Sequence, residues 1–210
     1  MRVLQAAGGT VPESEELLEE VANLVEAPTV VCGEFSTEFL RLPIDLLVKT
    51  MRKHQRYFPV YSPDAGQLMN RFITVANGDV DVDVVRRGNE DVLRARFEDA
   101  SFFYDEDLKS PLESFLPALK GTMFHNELGS LFDKSSREVG LVAPVAALLG
   151  LSAAAETARQ AAKLAKADQA TAVVSEMTSL AGVMGCHYAE KEGQPKVCTS
   201  ASRNLSILSE

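Results

Sequence analysis

Apolar positions recur at helical spacing as soon as the chain becomes readable. Leu17, Leu18, Val21, Leu24 and Val25 form one stripe, with Ser14 placed to cap it and Glu15 and Glu16 suited to the positive end of a helix. Pro28 stops that helix. Val30, Val31 and Cys32 then read as a short strand ending at Gly33. A second helix begins at Pro43, a residue suited to the first helical position, and runs to about His54 with Leu47, Val48 and Met51 inward. Arg56–Tyr61 and Arg71–Ala76 are strand-like, joined by a loop holding Pro63, Asp64 and Gly66, and Asn77-Gly78 marks the next turn.

Beyond Gly78 the pattern becomes helical. Val80–Arg87 reads as a short helix closed by Gly88, and Asn89 as the cap of a longer one with Leu93, Phe97, Ala100 and Tyr104 on one face. Leu112, Phe115, Leu116 and Leu119 make another face after Pro111. Further helices are predicted over Leu131–Leu149, Ala153–Lys166 and Asp168–Leu180, with Gly182 and Gly185 as breakers. The expected class is mainly α. Residues 1–78 form a small mixed α/β part, 79–193 a helical domain, and 194–210, with Pro195, Ser200, Ser202, Ser206 and Ser209, a disordered tail.

Composition narrows the function classes. Net charge is −9 and the pI about 4.9, the reverse of a general nucleic-acid binder, so any RNA contact has to use a local basic patch. Cys32, Cys186 and Cys198 are far apart and form no CxxC, which reads as reduced thiols of an intracellular protein. No apolar run reaches the roughly 18–20 residues of a membrane span, so no membrane partner is expected.

Two basic groups stand out. Lys49, Arg52, Lys53 and Arg56 recur at helical spacing in a segment without acids, which reads as an anion-binding stripe or as a solvated helix face. Arg86, Arg87, Arg94 and Arg96 flank Gly88-Asn89 and could hold phosphate, but Glu90, Asp91, Glu98 and Asp99 offer them salt bridges. Phosphohydrolases of the HD type need an adjacent His-Asp pair. His54, His125 and His187 are followed by Gln, Asn and Tyr, so His125 and Asp168 are not expected to bind metal. There is no GxxxxGK[ST] and no GxSxG, and no catalytic residue is identified.

A resemblance adds to this reading. The run Arg87-Gly88-Asn89-Glu90-Asp91-Val92-Leu93-Arg94-Ala95-Arg96-Phe97-Glu98-Asp99-Ala100-Ser101-Phe102-Phe103-Tyr104 resembles the GN-x-x-VL-x-AR-x-x-DA-x-FF block of glycyl-tRNA synthetase β subunits. His54-Gln55-Arg56-Tyr57-Phe58 is similar to the family's HQ-x-YF. Phe124-His125-Asn126-Glu127-Leu128-Gly129 with Asp133-Lys134 and Arg137 is similar to its FH-x-x-LG…DK…R. Leu164–Asp168, Thr171, Val174, Glu176, Gly182–Gly185 and Tyr188-Ala189 follow its next block, although Gln169, Met177 and Ala181 depart from the usual residues.

The resemblance implies the end of an editing-domain-like module over 1–78 and a degenerate HD-like domain over 79–193. It implies a β-type polypeptide that supports tRNA-Gly binding by glycine–tRNA ligase. An α subunit, or α region of a fused organellar form, makes glycyl-adenylate with ATP and Mg, neither of which this chain is expected to bind. Location is then cytoplasmic, or plastid or mitochondrial in a plant or alga. The competing readings are a structural docking module of the synthetase and an HD-type metal phosphohydrolase. Salt-dependent tRNA binding and a metal assay separate them.

Overall fold

A three-stranded antiparallel sheet organises the N-terminal half of the chain. The computed structural model describes residues 8–64 and 66–195, which divide into two compact units between Phe102 and Phe103.

In the first unit, α1 (Glu15–Leu24) precedes β1 (Pro28–Glu34), α2 (Ile44–Lys49), β2 (Phe58–Tyr61) and β3 (Leu68–Asn77). The sheet order is β1-β3-β2, with Pro28 opposite Asn77 and Phe58 opposite Ile73. Leu17 and Val21 of α1 pack on Phe58, Val60 and Ile73, while Leu18 and Leu24 of the predicted stripe face solvent. A Cβ at Gly33 would lie 2.5 Å from the ring of Phe72, which in turn stacks on Tyr57 at 4.7 Å. Glycine is therefore required where β1 passes that ring.

The helix expected to end at Gly88 does not end there. α3 runs unbroken from Val82 to Asp107. Asp81 accepts from the N–H groups of Asp83 and Val84, which places the cap at Asp81. Asn89 lies mid-helix, donating to the carbonyl of Val85. Gly88 faces open space, and the hydrogen-bonded turns on both sides carry the helix through it. The expected stripe is buried throughout: Leu93, Phe97 and Ala100 are 0 % exposed and Tyr104 2 %. Fully burying each large side chain of this kind contributes about 1.5–3 kcal/mol. Strands of this sheet end at Asn77, whereas the compact units part further on, within α3.

The second unit holds a 3₁₀ segment (Leu112–Gly121), a small hairpin of β4 (Met123–His125) and β5 (Gly129–Ser130), α4 (Leu131–Leu148), α5 (Ala155–Leu164), α6 (Ala172–Glu176) and α7 (Val183–Lys191). The helix predicted over Asp168–Leu180 is instead two 3₁₀ turns, Ala167–Ala170 and Thr178–Leu180, on either side of α6. Gly182 does turn the chain, at φ 78°, but Gly185 lies inside α7. Most of the expected tail falls outside the described residues; Gln194 and Pro195 form no regular element. No helix among the described residues is long and apolar enough to cross a membrane.

Candidate functional sites

The basic segment of the first unit forms on α2 and the π-helical turn that extends it, Thr50–His54. Leu46, Leu47 and Met51 anchor its inner side. Lys49 and Arg52 are half-buried and Lys53 is exposed. Arg56 leaves the helix altogether. It adopts φ 57° and places Nε 2.6 Å from Glu20 of α1. The expected four-residue face is thus reduced: Lys49, Arg52 and Lys53 share one helical segment, and Arg56 is drawn to an acid that lies far away in sequence. The cause is backbone geometry, because a π-turn and a left-handed residue break the 3.6-residue spacing. Burial raises the Tyr61 phenol, with Arg52 opposing and Asp45 reinforcing that shift, so Asp45 too acts within this segment.

The arginines of α3 lie among acids. Arg86 bonds Asp83 at 2.8 Å, and Arg94 bonds Asp91 at 2.9 Å. Glu90 accepts from the backbone N–H of Glu34, whose carboxylate holds Arg71 at 2.9 Å. Arg87 and Arg96 are exposed and have no ion partner among the described residues. The Tyr57 hydroxyl donates to Asn89 at 2.5 Å, and burial pushes that phenol up to about 12.

The second unit contains a buried polar centre that the sequence reading missed. Asp107, 4 % exposed, accepts from the N–H groups of Ala172 at 2.7 Å and Val173 at 3.0 Å and from the Tyr188 hydroxyl at 2.8 Å. Burial, reinforced by that bond, holds the Tyr188 phenol far above its usual range. Asp168, 1 % exposed, accepts through Oδ2 from Gly182 N at 2.5 Å and Gly185 N at 2.9 Å, at the start of α7; its Oδ1 has no hydrogen-bond partner. Burial raises the Asp168 carboxyl, against the two backbone bonds and nearby Lys166. Lys166 is itself buried, which lowers its pKa.

His125 is not on a helix but on β4, exposed, where its Nδ1 accepts from Glu127 N. His187 pairs through Nε2 with the Tyr104 hydroxyl at 2.8 Å. Both oxygens of Asp107, and Oδ2 of Asp168, accept backbone N–H groups, which compete with a cation for the same lone pairs. Among the described residues no group of three or more His, Cys, Asp and Glu could hold a metal ion. A signal for Asp107 was present in the sequence: positions 93, 97, 100, 104 and 107 continue the buried three- and four-residue spacing of α3.

These features describe a mainly helical polypeptide with a small antiparallel sheet, a reduced basic face and two buried carboxylates committed to main-chain donors. The family model described as glycyl-tRNA synthetase beta subunit matches residues 1–206, and the chain belongs to that family. It is 44% identical over 202 residues to the glycine–tRNA ligase beta subunit of Clostridioides difficile, covering 96% of this chain and 29% of that protein. It is 45% identical over 194 residues to the Geobacter sulfurreducens beta subunit, covering 92% of this chain and 28% of that protein. It is also 42% identical over 204 residues to glycine–tRNA ligase, chloroplastic/mitochondrial 2, of Arabidopsis thaliana, covering 97% of this chain and 19% of that protein. The chain thus spans less than a third of the length of these relatives.

Proposed function

We propose that the chain is the β-type region of a glycine–tRNA ligase, where it supports binding of tRNA-Gly. An α-type polypeptide makes glycyl-adenylate from glycine and ATP with magnesium. In this reading residues 1–78 belong to an editing-domain-like module and 79–193 to a degenerate HD-like domain, in a cytoplasmic or organellar enzyme. One observation supports an RNA role: Lys53 and Arg87 are exposed cations without an ion partner among the described residues, on a chain of net charge −9. Arg52, half-buried, lies on the same helical segment as Lys53. Lys49 completes that segment, with Arg56 and Arg86 as paired, weaker contributors.

The test replaces Lys49, Arg52, Lys53 and Arg56 by Ala and measures tRNA affinity, with the α subunit present, across a salt series. Each lost phosphate contact lowers the salt slope by about 0.7–0.9. Unchanged affinity and slope, with the fold intact by circular dichroism, reject the RNA role.

The second reading, a docking module without RNA contact, draws on Arg56–Glu20 and Arg86–Asp83, which use up two of the candidate cations. Under either reading the chain alone is expected to show no ATP–pyrophosphate exchange, and measurable exchange by the pure chain would overturn both.

A further inference from the structure

α4 begins as an ordinary amphipathic helix. Ser130 and Asp133 form a capping box, and Lys134, Arg137 and Glu138 keep the first turns polar. The remainder is different. Residues 139–155 contain no Asp, Glu, Lys or Arg, in a chain that is 24% charged. Such a stretch would normally be buried, yet α4 buries only Ser135 and Ala146. One side of α4 packs on α5. The other side presents Leu141 (61 % exposed), Val145 (49 %) and Leu148 (86 %) at four- and three-residue steps. Leu149 (66 %) and Leu151 (56 %) extend this ridge around the turn at Gly150. A contiguous aliphatic surface of this kind marks an interaction site.

We infer that the Leu141–Leu151 ridge is the docking face for another segment of a glycyl-tRNA synthetase β-type polypeptide, one with an uncharged aliphatic surface of its own. The occupant follows from length. These residues make up only 28–29% of the bacterial β subunits they match, so most of such a subunit is further polypeptide joined to this region. A tethered segment meets the ridge at a far higher effective concentration than a second copy does. A membrane surface suits it less. The cations nearest along α4 are engaged, Lys134 with Glu138 and Arg137 with the carbonyl of Leu128, and the chain is strongly acidic, whereas lipid-binding helices carry a basic rim. The inference rests on family membership and is independent of whether the basic face binds RNA.

The test compares Leu148→Cys in two settings: the 210-residue chain, and a chimera in which this region replaces the matching region of the Clostridioides difficile β subunit. Iodoacetamide labelling is read peptide by peptide, with Cys32 as an internal reference for an intact first unit. Cys at position 148 is expected to label about tenfold more slowly, or slower still, in the chimera. Equal rates overturn the inference. So does protection in the isolated chain that grows with its own concentration, which identifies a second copy. Protection by added phosphatidylcholine–phosphatidylglycerol vesicles, which identifies lipid, overturns it as well. A smaller graft of residues 131–151 supplies the same comparison if the larger chimera does not fold. Loss of tRNA binding leaves this readout unmoved, so the two readings fail separately.

Discussion

The hydroxyl of Tyr188 donates to Oδ2 of Asp107 at 2.8 Å, and the same carboxylate accepts from the first two N–H groups of α6. Removing the phenol oxygen leaves Asp107 with its two main-chain donors. Tyr188→Phe is therefore expected to cost about 1–2 kcal/mol. Asp107→Ala strands three donors at once, two of them buried, and is expected to cost about 3–5 kcal/mol. Urea unfolding of both variants checks the order. An Asp107→Ala chain as stable as Tyr188→Phe would show that the carboxylate is not the hub.

Gly88 carries the opposite expectation. It lies in the interior of α3 with helical backbone, and a Cβ there would meet nothing within 4 Å. Gly88→Ala restricts the unfolded chain without a clash in the folded one. It should raise stability by about 0.5–1 kcal/mol, read as a higher urea midpoint at unchanged slope. A loss of stability would mean that the glycine is needed for something other than helix geometry.

Asp168 gives a pH dependence of definite sign. Its folded pKa is raised by burial above the ordinary value of 3.8. Between those two values the folded chain keeps a proton that the unfolded chain has released. The stability tied to this group is thus fully present below the ordinary value and is lost as pH rises through the raised one. Asp168→Asn mimics the protonated form at every pH and retains an oxygen for Gly182 and Gly185. The variant's stability relative to wild type should therefore improve as pH rises from about 4. A difference that stays flat with pH would remove Asp168 from the titration.

Glu20 holds Arg56 through a half-exposed pair. If RNA uses this basic segment, Glu20→Gln frees one guanidinium and removes one repulsive charge. tRNA affinity at low salt should then rise about two- to fivefold, the scale of an exposed ion pair. No change in a filter-binding series would place the RNA elsewhere on the chain.

The stripe of α3 was legible because Leu93, Phe97, Ala100 and Tyr104 obey one period and one chemistry. Asp107 obeys the period but not the chemistry. A buried acid in the run Asp105-Glu106-Asp107 looks like solvent-facing charge until its partners, Ala172, Val173 and Tyr188, arrive from distant positions. Gly88 misled in the other direction, since glycine ends helices only when the backbone turns left-handed, and here it does not. The β4–β5 hairpin is too short for a pattern; it is set by Gly129 at φ 85° and the Ser130–Asp133 capping box. Among the candidate site residues, Lys49, Arg52 and Lys53 fall together as local spacing implies. Arg56 does not, because its torsion angle and its pairing with Glu20 are tertiary facts.

The two buried carboxylates also differ in how far along the chain they reach. Asp168 gathers donors 14 and 17 residues away, whereas Asp107 gathers donors 65, 66 and 81 residues away. Closing the longer loops costs about 1 kcal/mol more in chain entropy. The segment from Asp168 to Gly185 closes on itself through short loops, whereas the socket made by the start of α6 and Tyr188 is filled by the end of α3 across 65 to 81 residues of intervening chain.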